Sequence, residues 1–115
     1  MLKYTFPRKL RLNKDIQFKQ AFTKSKKISI GFCGVFCFAN NLNYARLGVI
    51  VQKKNISAAS RRNWFKRQVR ECFRLLQHDL VGFDIVILAY KEANKITSKE
   101  LQKKLEIQWK KTVFQ

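Results

Sequence analysis

The stretch Arg61–Arg74, R-R-N-W-F-K-R-Q-V-R-E-C-F-R, holds five arginines and a lysine. Guanidinium groups stay charged at physiological pH and bind phosphate through paired N–H donors, so a row of them is chemistry for a polyanion. At about 100° per residue, a helix here places Phe65, Val69, Cys72, Phe73 and Leu76 on one stripe. Lys66, Arg67, Arg70, Arg74 and Asn63 fill the adjacent flank, with Arg62 on the border. One helix then carries both a core seam and a cationic blade. Basic helix flanks are commonly just solvated. This chain, however, sets 25 Lys and Arg against 7 Asp and Glu, a net charge of +18 in 115 residues. Such a field attracts nucleic acid or an anionic membrane surface, and nucleic acid is the stronger reading.

The elements that must position this helix belong to one domain spanning residues 1–115, and 46% hydrophobic content is enough for a real core. Met1–Leu12 reads as an extended basic arm around Pro7. Asn13 caps a short helix to about Lys24, in which Phe18 and Phe22 are apolar. Ile28–Ala39 alternates, with Ile28, Ile30, Phe32, Phe36 and Phe38 on a bulky face and Ser29, Gly31, Cys33, Val35 and Cys37 on a smaller one, which predicts a strand. Asn40–Asn43 is turn chemistry, and Tyr44–Gln52 alternates again, so the two predict an antiparallel hairpin. Ser57 or a neighbour is expected to cap the basic helix, which extends to about Gln77. Phe83–Tyr90, F-D-I-V-I-L-A-Y, is a nearly continuous apolar run and predicts an inner strand buried on both faces. Thr97-x-x-Glu100 is a capping box opening a last helix that packs by Leu101, Leu105, Trp109 and Val113.

Cys33, Cys37 and Cys72 show no metal-binding spacing. On one strand Cys33 and Cys37 stand about 13 Å apart at about 3.3 Å per residue, too far for a shared ion or a disulfide. With no apolar run of signal-peptide type and no stretch of about 20 apolar residues, a soluble protein in a reduced cytoplasm is expected. One histidine, His78, and scattered carboxylates give no triad, no two-metal cluster and no zinc quartet, and the glycines form no phosphate loop. Glu71 reads as an ion-pair partner within its own helix. The chain alone is not expected to be a catalyst.

The motif A-x-x-R-R-N-W-F-K-R-Q-V-R-E-C-F-R, preceded by R-L-G-V-I-V-Q-K-K-N at Arg46–Asn55, resembles the protein subunit of bacterial ribonuclease P. F-P-R-x-L-R-L at Phe6–Leu12, Phe18-x-x-x-Phe22, F-D-I-V-I-L-A and a late helix with Trp109 extend the resemblance over nearly the whole chain. It implies a single α/β (α+β) domain, an α-β-β-β-α-β-α sandwich with a mixed sheet, ribosomal-protein-S5-like. It also implies a left-handed βαβ crossover, against the right-handed form expected on general grounds.

By the resemblance, the basic helix and the turn before it meet a catalytic RNA subunit through Arg62, Asn63, Lys66, Arg67 and Arg70, with Lys53, Lys54 and Arg46 as further contacts. Phe18, Phe22 and Phe36 would hold the single-stranded 5′ leader of precursor tRNA, since unpaired bases stack on aromatic rings. The same resemblance implies that the RNA supplies the active site and binds Mg²⁺. The chain would then be an endoribonuclease subunit that needs no membrane and no protein partner. Two positions depart from the family pattern. Trp64 stands at the third position of the R-N-R core, where the family has arginine, and Ser25 or a neighbour replaces a glycine after the first helix. The competing readings are a small ribosomal or RNA-chaperone protein, a cationic membrane-surface protein and a protein-only nuclease.

Overall fold

The computed structural model describes residues 26–113. The predicted arm and first helix, with Phe18, Phe22 and Ser25, lie outside the described residues. Four strands, β1 (Lys26–Ser29), β2 (Cys33–Ala39), β3 (Arg46–Ile50) and β4 (Phe83–Ala89), form one sheet in the order β1-β2-β4-β3. Helix α1 (Ala59–Leu76) connects β3 to β4, and α2 (Ser98–Val113) follows. Short 3-10 turns at Gln77–Asp79 and Lys91–Asn94 precede and follow β4. β2 runs antiparallel to β4 and β3 parallel to it, so this is an α+β domain on a mixed sheet.

Two expectations are corrected here. The alternating run Ile28–Ala39 is two strands, because Gly31 turns the chain at φ +96°, a conformation costly for any residue with a Cβ. Ile30 N–H then donates to Cys33 O across the turn at 3.0 Å, and β1 pairs antiparallel with β2. The hairpin expected between Ile28–Ala39 and Tyr44–Gln52 does not form, since β4 lies between β2 and β3. Its apolar run, predicted to be an inner strand, pairs on both sides: Val86 is in register with Phe36 and with Gly48.

Alternation divides the sheet. Cys33, Val35, Leu47, Ile85 and Ile87 face a core shared with Phe65, Val69, Cys72 and Phe73 of α1 and Leu101, Leu105 and Trp109 of α2. The stripe predicted on α1 is thus its buried side, with Leu76 partly buried against the same cluster. Phe65 meets Phe32 edge-on at 6.2 Å, and Phe73 meets Trp109 at 6.1 Å. Truncating any one of Phe65, Phe73 or Trp109 to alanine costs about 3–5 kcal/mol by lost burial and the cavity left behind. Trp109 Nε1 is buried with no hydrogen-bond partner among the described residues, a local cost set against the area the indole buries. A polar cluster locks the two helices in register. Gln68 Oε1 accepts from Ser98 Oγ at 2.6 Å and from Gln102 Nε2 at 2.9 Å.

At the start of α2, Thr97 Oγ1 accepts from Glu100 N–H at 3.2 Å, the capping contact expected from sequence. α1 begins differently. Its N-cap is Ala58, with no side-chain cap, and its first turn holds no acid.

The three cysteines are free. Burial pushes the Cys33 and Cys72 thiols up to about 12 and, with Asp84 nearby, Cys37 up to about 11, from 9.0. A raised folded-state value favours the fold below the unfolded value and loses that favour as pH rises through the folded one. Stability is therefore expected to be flat in these groups up to about pH 8 and to fall from pH 9 toward 11–12, as urea titrations would show. A thiol reagent at pH 8 should label half-buried Cys37 first and reach Cys33 and Cys72 only on unfolding. Equal labelling of all three would contradict their burial.

Candidate nucleic-acid interface

With the stripe of α1 buried, its other flank is pinned at the surface. Asn63 and Arg67 are exposed, and Arg62, Lys66, Arg70 and Arg74 are partly so. Among the described residues Lys66 and Arg67 form no ion pair. Arg74 pairs instead with Glu71 (Nε to Oε2, 3.1 Å), as expected for that carboxylate, and its guanidinium holds Glu71 below the ordinary carboxylate range. Both groups are too exposed for the pair to contribute much to stability.

The approach to α1 adds to the same surface. Lys53 and Lys54 are exposed on a turn in which Gln52 O accepts from Asn55 and Ile56 N–H. Arg62 Nη1 donates to Ile56 O (3.0 Å) and Ser57 O (2.7 Å), folding this approach against the first turn of the helix. Among the described residues Nε and Nη2 of Arg62 remain for a ligand. The N-terminal end of α1 has, among the described residues, no side-chain cap and no acid in its first turn, and its positive dipole lies beside Arg62 and the turn that carries Lys53 and Lys54, an arrangement that favours a phosphate. Arg62, Asn63, Lys66, Arg67 and Arg70 thus share α1, and the turn that carries Lys53 and Lys54 is bonded to its first turn through Arg62.

Arg46 and Phe36 are placed elsewhere. Both lie on the sheet face opposite the helices, where Phe36 and Val86 form a small cluster with Ile50 and Leu88, and Phe36 is 8% exposed. Arg46 Nε and Nη2 donate to Asp84 Oδ1 and Oδ2 at 2.8 and 2.6 Å. Asp84 is fully buried, and Asn40 Nδ2 donates to its Oδ1 as well, at 2.8 Å. A lone carboxylate inside F-D-I-V-I-L-A was the available signal for such a partner, since a buried charge must be paired.

Arg61 has a role that charge counting does not reveal. Its Nε and Nη2 donate to Ala93 O at 3.3 and 3.0 Å, and Nη2 also donates to Ile96 O. The guanidinium carbon stacks 3.8 Å from the Trp64 ring centroid, and Trp64, partly buried, packs against the main core. Arg61 is thus a clamp between α1 and the segment before α2. Arg61→Ala is expected to cost about 2–4 kcal/mol, from charged hydrogen bonds and the cation–π contact. Calorimetry checks the loss. An unchanged melting temperature would refute the clamp.

No group of three His, Cys, Asp or Glu side chains among the described residues could hold a metal ion, and buried Asp84 is already engaged by Arg46 and Asn40. Nor is any described helix long and apolar enough to cross a membrane.

A cationic helix held by a buried apolar stripe on a mixed sheet defines the class: a small basic α+β protein with a face suited to a polyanion. The chain belongs to the ribonuclease P protein family, whose family model, described as Ribonuclease P, matches residues 6–113. It is 41% identical over 109 residues to the ribonuclease P protein component of Photobacterium profundum, covering 95% of this chain and 92% of that one. To the Haemophilus influenzae protein of the same name it is 38% identical over 113 residues, covering 98% and 95%. Among solved structures, the Thermotoga maritima ribonuclease P protein superposes with a TM-score of 0.77 at 32% identity, covering 88% of this chain and 96% of that one. The Staphylococcus aureus protein gives 0.79 at 28% identity, covering 85% and 90%. The chain is accordingly a protein subunit of ribonuclease P, a tRNA-processing enzyme.

Proposed function

We propose that this subunit binds the RNA subunit of ribonuclease P through the α1 flank and the Lys53–Lys54 turn, and holds the 5′ leader of precursor tRNA with Phe18, Phe22 and Phe36. The observation that carries the reading is α1 itself, whose apolar stripe is buried while Asn63 and Arg67 are exposed and Lys66 partly so on the flank beside it. Contacts of that kind go to phosphates and position the partner without reading its sequence. In this reading hydrolysis takes place on the RNA, which binds Mg²⁺. The protein contributes by neutralising crowded phosphates and by holding the leader near the scissile bond. No protein partner is required, and precursor tRNA as substrate places the work in the cytoplasm.

The test is cleavage of precursor tRNA by a bacterial ribonuclease P RNA at low Mg²⁺, with and without the full chain. Rescue of cleavage by the protein is expected, with Phe18→Ala/Phe22→Ala weakening binding of leader-bearing substrate only. Tight RNA binding without rescue would replace this reading with that of a ribosomal or RNA-chaperone protein.

A further inference from the structure

β3 and β4 run parallel and end side by side, with Ile50 in register with Leu88. The loops leaving them, 51–58 and 90–97, therefore start from the same end of the sheet. They are stitched together there. Asn55 Nδ2 donates to Ala89 O at 3.2 Å, and Asn94 Nδ2 donates back to Asn55 O at 2.8 Å and to Lys91 O at 2.9 Å. The Arg61 clamp on Ala93 and Ile96 fixes the second loop to α1 as well.

This clasp has a chemical result. Lys54 precedes Asn55, while Lys91 and Lys95 bracket Asn94, so the hydrogen-bonded asparagines bring lysines from two loops onto one ridge. Lys53, Lys54, Lys91 and Lys95 are all exposed, and Glu92 is the one acid among residues 51–58 and 90–97. The ridge adjoins the start of α1. Resting on the proposed RNA-binding function, we infer that Lys91 and Lys95 extend the RNA-subunit interface beyond α1, contacting phosphates of the same RNA, and that the Asn55–Asn94 clasp is what positions them.

Lysines on a +18 chain raise RNA affinity wherever they stand, so the test must separate place from total charge. The probe is a bacterial ribonuclease P RNA, with its affinity for the full chain measured between 50 and 200 mM salt. Lys91→Gln/Lys95→Gln is compared with Lys104→Gln/Lys111→Gln, which removes equal charge from exposed positions of α2. Two lost phosphate contacts should flatten the salt dependence by about 1.4–1.8 in log–log slope, roughly tenfold less change over that range. The α2 pair should keep the wild-type slope. Asn94→Ala, which changes no charge, should bind about three- to tenfold more weakly, because the ridge must then be ordered on binding. Equal slopes for the two double variants, or wild-type affinity for Asn94→Ala with its fold intact by circular dichroism, would overturn the ridge. Failure of the wild type to bind this RNA would instead sink the proposed function.

Discussion

Arg46→Ala is expected to destabilise the protein by about 3–5 kcal/mol, because it strands a buried carboxylate without its counter-charge. Asp84 is 1% exposed at the side chain and Arg46 19%, so solvent does little to screen the pair. The effect reaches beyond one contact. Asn40, which also donates to Asp84, takes Leu42 N–H on its Oδ1 at 2.8 Å and donates to Tyr44 O at 3.1 Å, so the connection between β2 and β3 is tied to the same carboxylate. Melting should fall by about 10 °C or more. Arg46→Met/Asp84→Leu should recover much of the loss, since removing both charges leaves no buried charge unpaired and Asn40 Nδ2 keeps its bond to Tyr44 O. A single variant melting within about 2 °C of wild type would show that Asp84 finds another partner. Because Arg46 is also among the residues expected at the RNA subunit, its RNA affinity should be measured well below the melting point. A defect that persists there belongs to the interface, and one that appears only on warming belongs to the fold.

Lys66→Ala/Arg67→Ala/Arg70→Ala should have the opposite character. These side chains leave the accessible flank of α1, so stability is expected to stay within about 1 kcal/mol of wild type. The RNA-binding slope against salt should drop by about 2.1–2.7, from three phosphate contacts at about 0.7–0.9 each. Between 50 and 200 mM salt the wild type then loses about 20- to 40-fold more affinity than the variant. An unaltered slope would show that the flank carries no phosphates. Paired with Arg61→Ala, which should lower stability and leave the slope unchanged, the experiment separates two uses of arginine on one helix.

That separation marks what is legible in a sequence. The buried stripe of α1 follows from helical periodicity, the inner position of Phe83–Ala89 from a nearly continuous apolar run, and the Thr97 cap from its spacing to Glu100. Each is a local pattern with one physical solution. Gly31 escapes because period-two alternation continues through its turn, and nothing in Ile28–Phe38 except the glycine itself marks the reversal. The separation of β2 from β3 is nonlocal, since it depends on a strand that comes after an intervening helix. For Arg61 the difficulty is different: its partners are the carbonyls of Ala93 and Ile96, and backbone oxygens have no letter. Trp64, a departure from the family pattern, likewise acquires its sense from contacts remote in the pattern, the main core beneath it and the guanidinium stacked on it.

The strand order also bears on how the molecule comes into being. Among the described residues β3 takes all of its sheet hydrogen bonds from β4, and β2 takes those of one whole edge from it. Until residues 83–89 leave the ribosome, both strands have open edges, and α1 has emerged with only part of the surface that will cover its stripe. Loop closure across this span must precede most long-range contacts, which slows folding and lengthens exposure to association. Charge answers that hazard: the same positive field that invites RNA makes unfinished copies of this chain repel one another.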